Sequence, residues 1–180
     1  MRIPIVVVPG SADETVARGE LPEAYLQRVV REKLASVATR INGVRVGGLL
    51  AADTIVLLDG AILGKPADEA EARRMLWALS GRGHEVRTRF AVASAAHPAV
   101  PIHEETVCSK VHFRSVTTAE IDGYASSGEG LDKAGAYAVQ GLGAFAVKRV
   151  DGSYSNVVGL PACEVVSALL EKGLLAKFPL

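Results

Sequence analysis

The residues best suited to chemistry are an acid and a lysine carried on two short apolar runs. Ala51-Ala52-Asp53-Thr54-Ile55-Val56-Leu57-Leu58 is apolar and rich in β-branched residues except at Asp53 and Thr54, the pattern of a buried strand. A carboxylate there must be paired, hydrogen-bonded or bound to a metal, because burying a bare charge is very costly. Asp59-Gly60 separates this run from Ala61-Ile62-Leu63, and Asp-Gly between two apolar runs signals a hairpin. The returning strand would carry Lys65 back towards the Asp53 end. An acid and a lysine on adjacent strands suit a ligand with phosphates and a metal. A buried salt bridge, or a strand-end acid capping a loop, accounts for the same residues.

Other candidates lie further off in the chain. Asp13 and Glu14 sit in a polar loop, Ser11 to Thr15, where they could bind a metal or stand as solvated charges. Lys33 follows Val29 by four residues. That puts it near the edge of a helical apolar stripe, where its ammonium either snorkels to solvent or reaches into a cleft. The stretch Leu131 to Gly143, with Lys133 and Gln140, is rich in small residues. It either lets backbone approach a ligand closely or forms a compact packed loop. It is not a phosphate-binding P-loop, since G-x-x-x-x-G-K-[ST] does not occur. His84, His97, His103 and His112 show no metal spacing and are expected at the surface or at strand edges. Trp77 is expected in the core.

The elements that must position these residues follow from periodicity and punctuation. Ile3 to Val8 reads as a strand stopped by Pro9-Gly10. Leu21-Pro22-Glu23 opens a helix running to about Thr39, with Leu26, Val29, Val30, Leu34 and Val37 as its apolar stripe. Asn42-Gly43 and Gly47-Gly48 mark loops. A second helix spans roughly Asp68 to Leu79, its acids favouring the first turn. Strands are expected over His84 to Ala93, over Glu104 to Phe113 with Val107, Val111 and Phe113 on one face, and over Ala144 to Val150. Thr117 to Glu120 matches a capping box opening a short helix to about Ser126, with Ser127 to Gly130 as a flexible link. Ser153 to Asn156 reads as a polar turn, and Pro161 begins a last helix, Ala162 to Lys172, with Val165, Val166, Leu169 and Leu170 inward.

The totals set the frame. The chain has 180 residues, 49% of them apolar, and a formal net charge of zero. That describes one globular domain with a substantial core and no general attraction to nucleic acid or membranes. Cys108 and Cys163 stand alone, as core thiols of a reducing cytoplasm would. No signal peptide or membrane-spanning run is visible.

Several stretches together resemble the Maf family of nucleoside triphosphate pyrophosphatases. They are Tyr25-Leu26-Gln27-Arg28-Val29-Val30-Arg31-Glu32-Lys33, Ala52-Asp53-Thr54-Ile55-Val56, Leu63-Gly64-Lys65-Pro66, Leu79-Ser80-Gly81 with His84-Glu85-Val86, Leu131-Asp132-Lys133-Ala134-Gly135-Ala136-Tyr137 with Gln140-Gly141-Leu142-Gly143, and Gly152-Ser153-Tyr154-Ser155-Asn156 through Pro161. They occur in family order with family spacing. The resemblance implies an α/β fold over residues 1–180, with a mixed twisted central sheet flanked by helices and two lobes with a cleft. It implies cytoplasmic hydrolysis of a nucleoside triphosphate to the monophosphate and pyrophosphate, with Mg²⁺ or Mn²⁺, by a homodimer. Asp53 corresponds to the proposed proton acceptor, and Glu14 joins it in holding the metal. Lys33 and Lys65, assisted by Lys133, would hold the phosphates. Thr54 and Gln140 match the subfamily that prefers dTTP and UTP.

The family's opening strand and its S-x-S-P-R-R loop have no counterpart in the chain as given, and Ala51 stands where the family usually has glycine. Two expectations follow. A longer chain would be an active enzyme. A shortened homologue would hydrolyse weakly, or would bind nucleotide without catalysis in a role linked to cell division.

Overall fold

The computed structural model describes residues 3–41 and 43–177; Asn42, where one loop was expected, lies outside them. The chain forms two compact units, one of Met1–Asp53, Arg89–Thr106 and Ala162–Leu180, the other of Thr54–Thr88 and Val107–Pro161. The elements in chain order are α1 (Pro22–Ala38), β1 (Gly48–Leu58), β2 (Ala61–Leu63), α2 (Glu69–Leu79), β3 (Gly83–Ser94), β4 (Pro101–Phe113), α3 (Thr118–Ser126), β5 (Val147–Asp151), α4 (Tyr154–Val158) and α5 (Ala162–Glu171). The strands form a five-stranded sheet in the order β2-β1-β3-β4-β5. β2 pairs with β1 and β5 with β4, both antiparallel. The expected α/β class, a central sheet with helices, is what the chain adopts.

In the first unit α1 begins with Pro22, whose missing N–H costs nothing in a first turn. Its stripe buries Tyr25, Leu26, Val29, Val30 and Leu34. Val30 and Leu34 pack with Leu49, Ala51, Ala91 and Ala93, each fully buried leucine or valine contributing about 1.5–3 kcal/mol. The helix is thereby fixed against the strand that carries Asp53.

In the second unit the β1–β2 hairpin pairs Val56 with Leu63 and Leu58 with Ala61. Its two turn residues, Asp59 at φ 52° and Gly60 at φ 82°, both adopt positive φ, as a two-residue type I′ turn demands. Asp68 caps α2 by accepting from the Glu71 N–H at 2.7 Å. The Thr117–Glu120 capping box forms as expected and starts α3. Val56, Leu76, Leu79, Val86, Val111, Phe113, Ile121, Tyr124 and Tyr137 make the core.

Several expectations are corrected. Ile3 to Val8 has no regular structure, and Ile5, Val6 and Val7 are exposed. Among the described residues no strand pairs with the run, and β-branched residues alone do not hold a strand without a ladder. Trp77 is 49% exposed, because α2 buries Ala72, Leu76 and Leu79 and position 77 falls outside that stripe. His84 is buried at 2% exposure, since the alternation of β3 turns His84, Val86, Thr88 and Phe90 inward together. Cys108 and Cys163 are exposed. On β4 it is Ser109, Val111 and Phe113 that face inward, and α5 buries Val165, Val166 and Ala168. The strand expected from Ala144 starts as a 3-10 turn, Leu142–Ala146, and becomes β5 only at Val147. The polar turn at Ser153 to Asn156 is the start of α4, capped by the Ser153 hydroxyl.

Candidate functional site

Within the first unit, Lys33 on α1, Asp53 on β1 and Glu14 in the preceding loop converge. The Lys33 ammonium stands 2.6 Å from Asp53 Oδ1 and 2.8 Å from Glu14 Oε1. The side chains of Lys33, Asp53 and Glu14 are 19%, 11% and 35% exposed, so the cluster is partly shielded yet open to a ligand. Burial works against the charge on Lys33. The hydrogen bonds of Asp53 and then Glu14 outweigh it, and the lysine titrates above its usual value. Burial, followed by the charges of Asp53 and Glu14, pushes the nearby Tyr25 phenol up to about 12.

The loop carrying Glu14 is held from one face of α1. Tyr25 donates its hydroxyl to the Glu14 carbonyl at 3.1 Å. Arg28 donates to the carbonyls of Asp13 and Thr15, at 2.7 and 3.0 Å, and grips Glu20 with two further N–H groups. Glu32 accepts from the Asp13 N–H at 3.0 Å. Positions 25, 28 and 32 lie on one helical face. That spacing was visible in the sequence, and the role of these three residues was missed there.

The other candidates lie in the second unit. Continuing the hairpin register sets Lys65 beyond the last pair, level with Thr54. The Gly135 N–H donates to the Gly64 carbonyl at 3.0 Å, tying the segment before Lys65 to the turn after Lys133. Gly135 has φ +69°, and an added Cβ there would stand 3.0 Å from Val56, so the turn rests directly on β1. Lys133 bonds Asp132 at 2.7 Å. Asp132 is held below the usual carboxylate range chiefly by that bond, with the Lys65 charge a smaller cause. Thr54 meets the Thr88 hydroxyl at 2.8 Å and the Gly159 carbonyl at 3.4 Å. Thr88 in turn donates to the Asn156 carbonyl, and the buried Asn156 amide donates to Val86 and Ser109.

Gln140 is exposed at the head of a tight turn. The link expected to be flexible, Ser127 to Gly130, supplies the anchor of that turn. The Glu129 carboxylate accepts from the N–H groups of Leu142 and Gly143 at 2.8 and 3.0 Å and from the Tyr124 hydroxyl at 2.9 Å. Burial alone would raise the Glu129 pKa, but the Gly143 and Leu142 N–H groups outweigh it and hold it low. The glycines on both sides of Glu129 read as a link, so the sequence carried no local signal for the anchor.

Among the described residues no three of His, Cys, Asp and Glu gather closely enough to ligate a metal by themselves. Glu14 and Asp53 are a pair. Two carboxylates suit a hard cation that shares its shell with phosphate oxygens. Among the described residues no helix is long and apolar enough to cross a membrane.

The fold and this cluster define an α/β protein whose acids and lysines suit an anionic ligand. The family model described as Maf-like protein matches residues 1–172, and the chain belongs to that family. A dTTP/UTP pyrophosphatase of Myxococcus xanthus is 49% identical over 174 residues, covering 96% of this chain and 84% of the relative. A dTTP/UTP pyrophosphatase of Syntrophomonas wolfei is 46% identical over 166 residues, 92% of this chain and 85% of its own. One of Shewanella oneidensis is 45% identical over 163 residues, 91% and 82%.

Proposed function

We propose that this chain hydrolyses a pyrimidine nucleoside triphosphate, dTTP or UTP, to the monophosphate and pyrophosphate. One observation carries the reading: a single ammonium joins two carboxylates at 2.6 and 2.8 Å, so a cation and two acids stand ready for one phosphate group. The names of relatives between 45% and 49% identical support the substrate class.

Cleavage at phosphorus needs charge neutralisation, an in-line water and a base. A lysine ammonium has three donors. Two of those on Lys33 serve Asp53 and Glu14, and the third takes a phosphate oxygen. In the second unit, Lys65 and Lys133 are the candidates to hold phosphate. Glu14 and Asp53 would hold a Mg²⁺ or Mn²⁺ ion, which when bound would neutralise phosphate charge and lower the pKa of water. Asp53 accepts the proton of the attacking water. The water oxygen bonds to the α-phosphorus while its bond to the bridging oxygen breaks, and pyrophosphate leaves. Gln140 and the acceptor capacity of the Thr54 hydroxyl read the base, because polar groups left unpaired by a misfit reject it strongly. The two unpaired thiols agree with a cytoplasmic setting. The family resemblance supports a homodimer, which light scattering would test.

The decisive experiment measures pyrophosphate release from dTTP and UTP with Mn²⁺, for the native chain and for Asp53→Asn. Removing the base should slow turnover by about a hundredfold or more. Equal turnover would take Asp53 out of the reaction. Thermal stabilisation by nucleotide without pyrophosphate release would replace hydrolysis by binding alone.

A further inference from the structure

We infer that Glu129 is a specificity-determining positioning residue, acting through the turn that carries Gln140. The inference rests on the reading of Gln140 as a base contact and adds the residue that aims it. Glu129 reaches both N–H groups that follow the Gln140-Gly141 step, Leu142 with one carboxylate oxygen and Gly143 with the other. Its second oxygen also takes the Tyr124 hydroxyl, which accepts from the Ala138 N–H at 3.1 Å. Backbone on both sides of Gln140 is therefore referred to one carboxylate and one phenol.

The glycines show how tight the arrangement is. A Cβ on Gly141 would stand 2.1 Å from Glu129 Oε1, and one on Gly143 would stand 2.7 Å from the Ala138 carbonyl and 2.9 Å from the Tyr124 hydroxyl. Separations below 3 Å are not tolerated without movement. The turn is wrapped on the carboxylate, and no side chain fits between them. Gln140 itself is exposed, so the direction it presents is set by backbone held from behind. An amide that must meet a particular pattern of donors and acceptors discriminates only if it arrives in one orientation.

The test compares Glu129→Gln, Gly141→Ala and Gln140→Ala. Two readouts are taken: hydrogen exchange at the Leu142 and Gly143 amides, and the ratio of dissociation constants for the non-hydrolysable α,β-imido analogues of dTTP and dCTP by calorimetry with Mn²⁺. The ratio needs no turnover, and a merely structural role would weaken both nucleotides equally. Glu129→Gln removes the charge that both amides share. It should speed their exchange and lower the dTTP preference, each by about tenfold. Gly141→Ala should do the same by pushing the carboxylate away, and serves if the first variant does not fold. Gln140→Ala should lose the preference with exchange unchanged. Adding Glu129→Gln to it should lower the preference no further, as for two residues acting through one contact. If Gln140→Ala loses the preference while Glu129→Gln and Gly141→Ala keep it, the inference about Glu129 falls alone. If Gln140→Ala keeps the preference, the base-reading role of Gln140 falls and takes this inference with it.

Discussion

The acid–lysine cluster of the first unit and the glycine turns of the second are held in opposite ways. Lys33, Asp53 and Glu14 are placed by a helix, a strand and a loop, and meet charge to charge. The Gln140 turn lies so close to its surroundings that a side chain would collide with the Ala136 backbone at Gly130, with the Glu129 carboxylate at Gly141, and with the Ala138 backbone and Tyr124 hydroxyl at Gly143. The first arrangement should be damaged by removing charge, the second by added volume as well as by loss of the Glu129 carboxylate. The buried titratable groups differ in the same sense. The second unit holds a neutral histidine that acid would charge, and the first holds a charged lysine that alkali would neutralise.

The largest effect is expected from added volume. A Cβ on Gly130 would fall 2.1 Å from the Ala136 carbonyl oxygen, a backbone atom that cannot swing aside. Gly130→Ala should cost about 3 kcal/mol or more, at the severe end of overpacking, read as a drop in the denaturation midpoint. A loss under about 1 kcal/mol would show that the 129–143 segment yields, and would remove the contrast with the charged cluster.

Next comes acid. His84 packs edge-on to Phe113 and Tyr137 and shares a 2.8 Å hydrogen bond with the Tyr137 hydroxyl. Burial, with the His112 charge as a lesser cause, lowers its pKa from 6.5 to about 4. The unfolded state therefore binds the proton first. The stability His84 supports is whole above the unfolded pKa and is lost as pH falls towards 4, by about 3 kcal/mol at most. His84→Gln should flatten that part of the stability profile. A profile of unchanged slope between pH 6.5 and 4 would place the acid sensitivity elsewhere.

What could be read from sequence separates along the same line. The Asp59-Gly60 turn, the Thr117–Glu120 box and the α1 stripe depend on neighbours within one or two turns, so local pattern sufficed. The grouping of Lys33, Asp53 and Glu14 was implied by the family resemblance alone, since local pattern left both Glu14 and Lys33 open to a solvent-facing reading. Their roles rest on the proposal above. Glu129 bonds residues 13 and 14 positions further on, and no local rule distinguishes such an anchor from a linker acid between glycines. His84 was misplaced although the alternation that buries it was in view, because residue type was weighed above position. Trp77 and both cysteines erred the same way.

Alkali should act on the first unit. The raised Lys33 pKa means that the stability from its ion pairs is whole below the unfolded value of 10.5 and is lost as pH rises through the folded value. Tyr25, pushed from 10.0 to about 12, adds a loss of the same sign over that interval. Lys33→Met removes the cation and leaves two acids facing each other. It should cost about 1–2 kcal/mol near neutrality, discounted from a fully buried pair because Glu14 is partly solvated. The loss should shrink as pH rises above 10.5, where the unfolded lysine loses its proton first and the native one follows at its raised value. A loss constant across that range would mean that packing of the lysine stem, not its charge, holds the cluster.

The smallest effect on stability, and the sharpest test of the comparison, concerns Arg28. Its side chain is half-buried, and it holds the carbonyls of Asp13 and Thr15 on either side of Glu14. Lysine at this position keeps the charge but offers no planar fork, so it cannot serve both carbonyls and Glu20 together. Arg28→Lys should leave the denaturation midpoint nearly unchanged and loosen the loop. Turnover should fall several-fold, with a rise in the Mn²⁺ concentration needed for half-maximal rate, because Glu14 then meets Lys33 and the cation less often. If Arg28→Lys keeps native turnover and native Mn²⁺ dependence, Arg28 does not position Glu14, and the bonds of Tyr25 to the Glu14 carbonyl and of Glu32 to the Asp13 N–H, with the Lys33 ion pair, suffice.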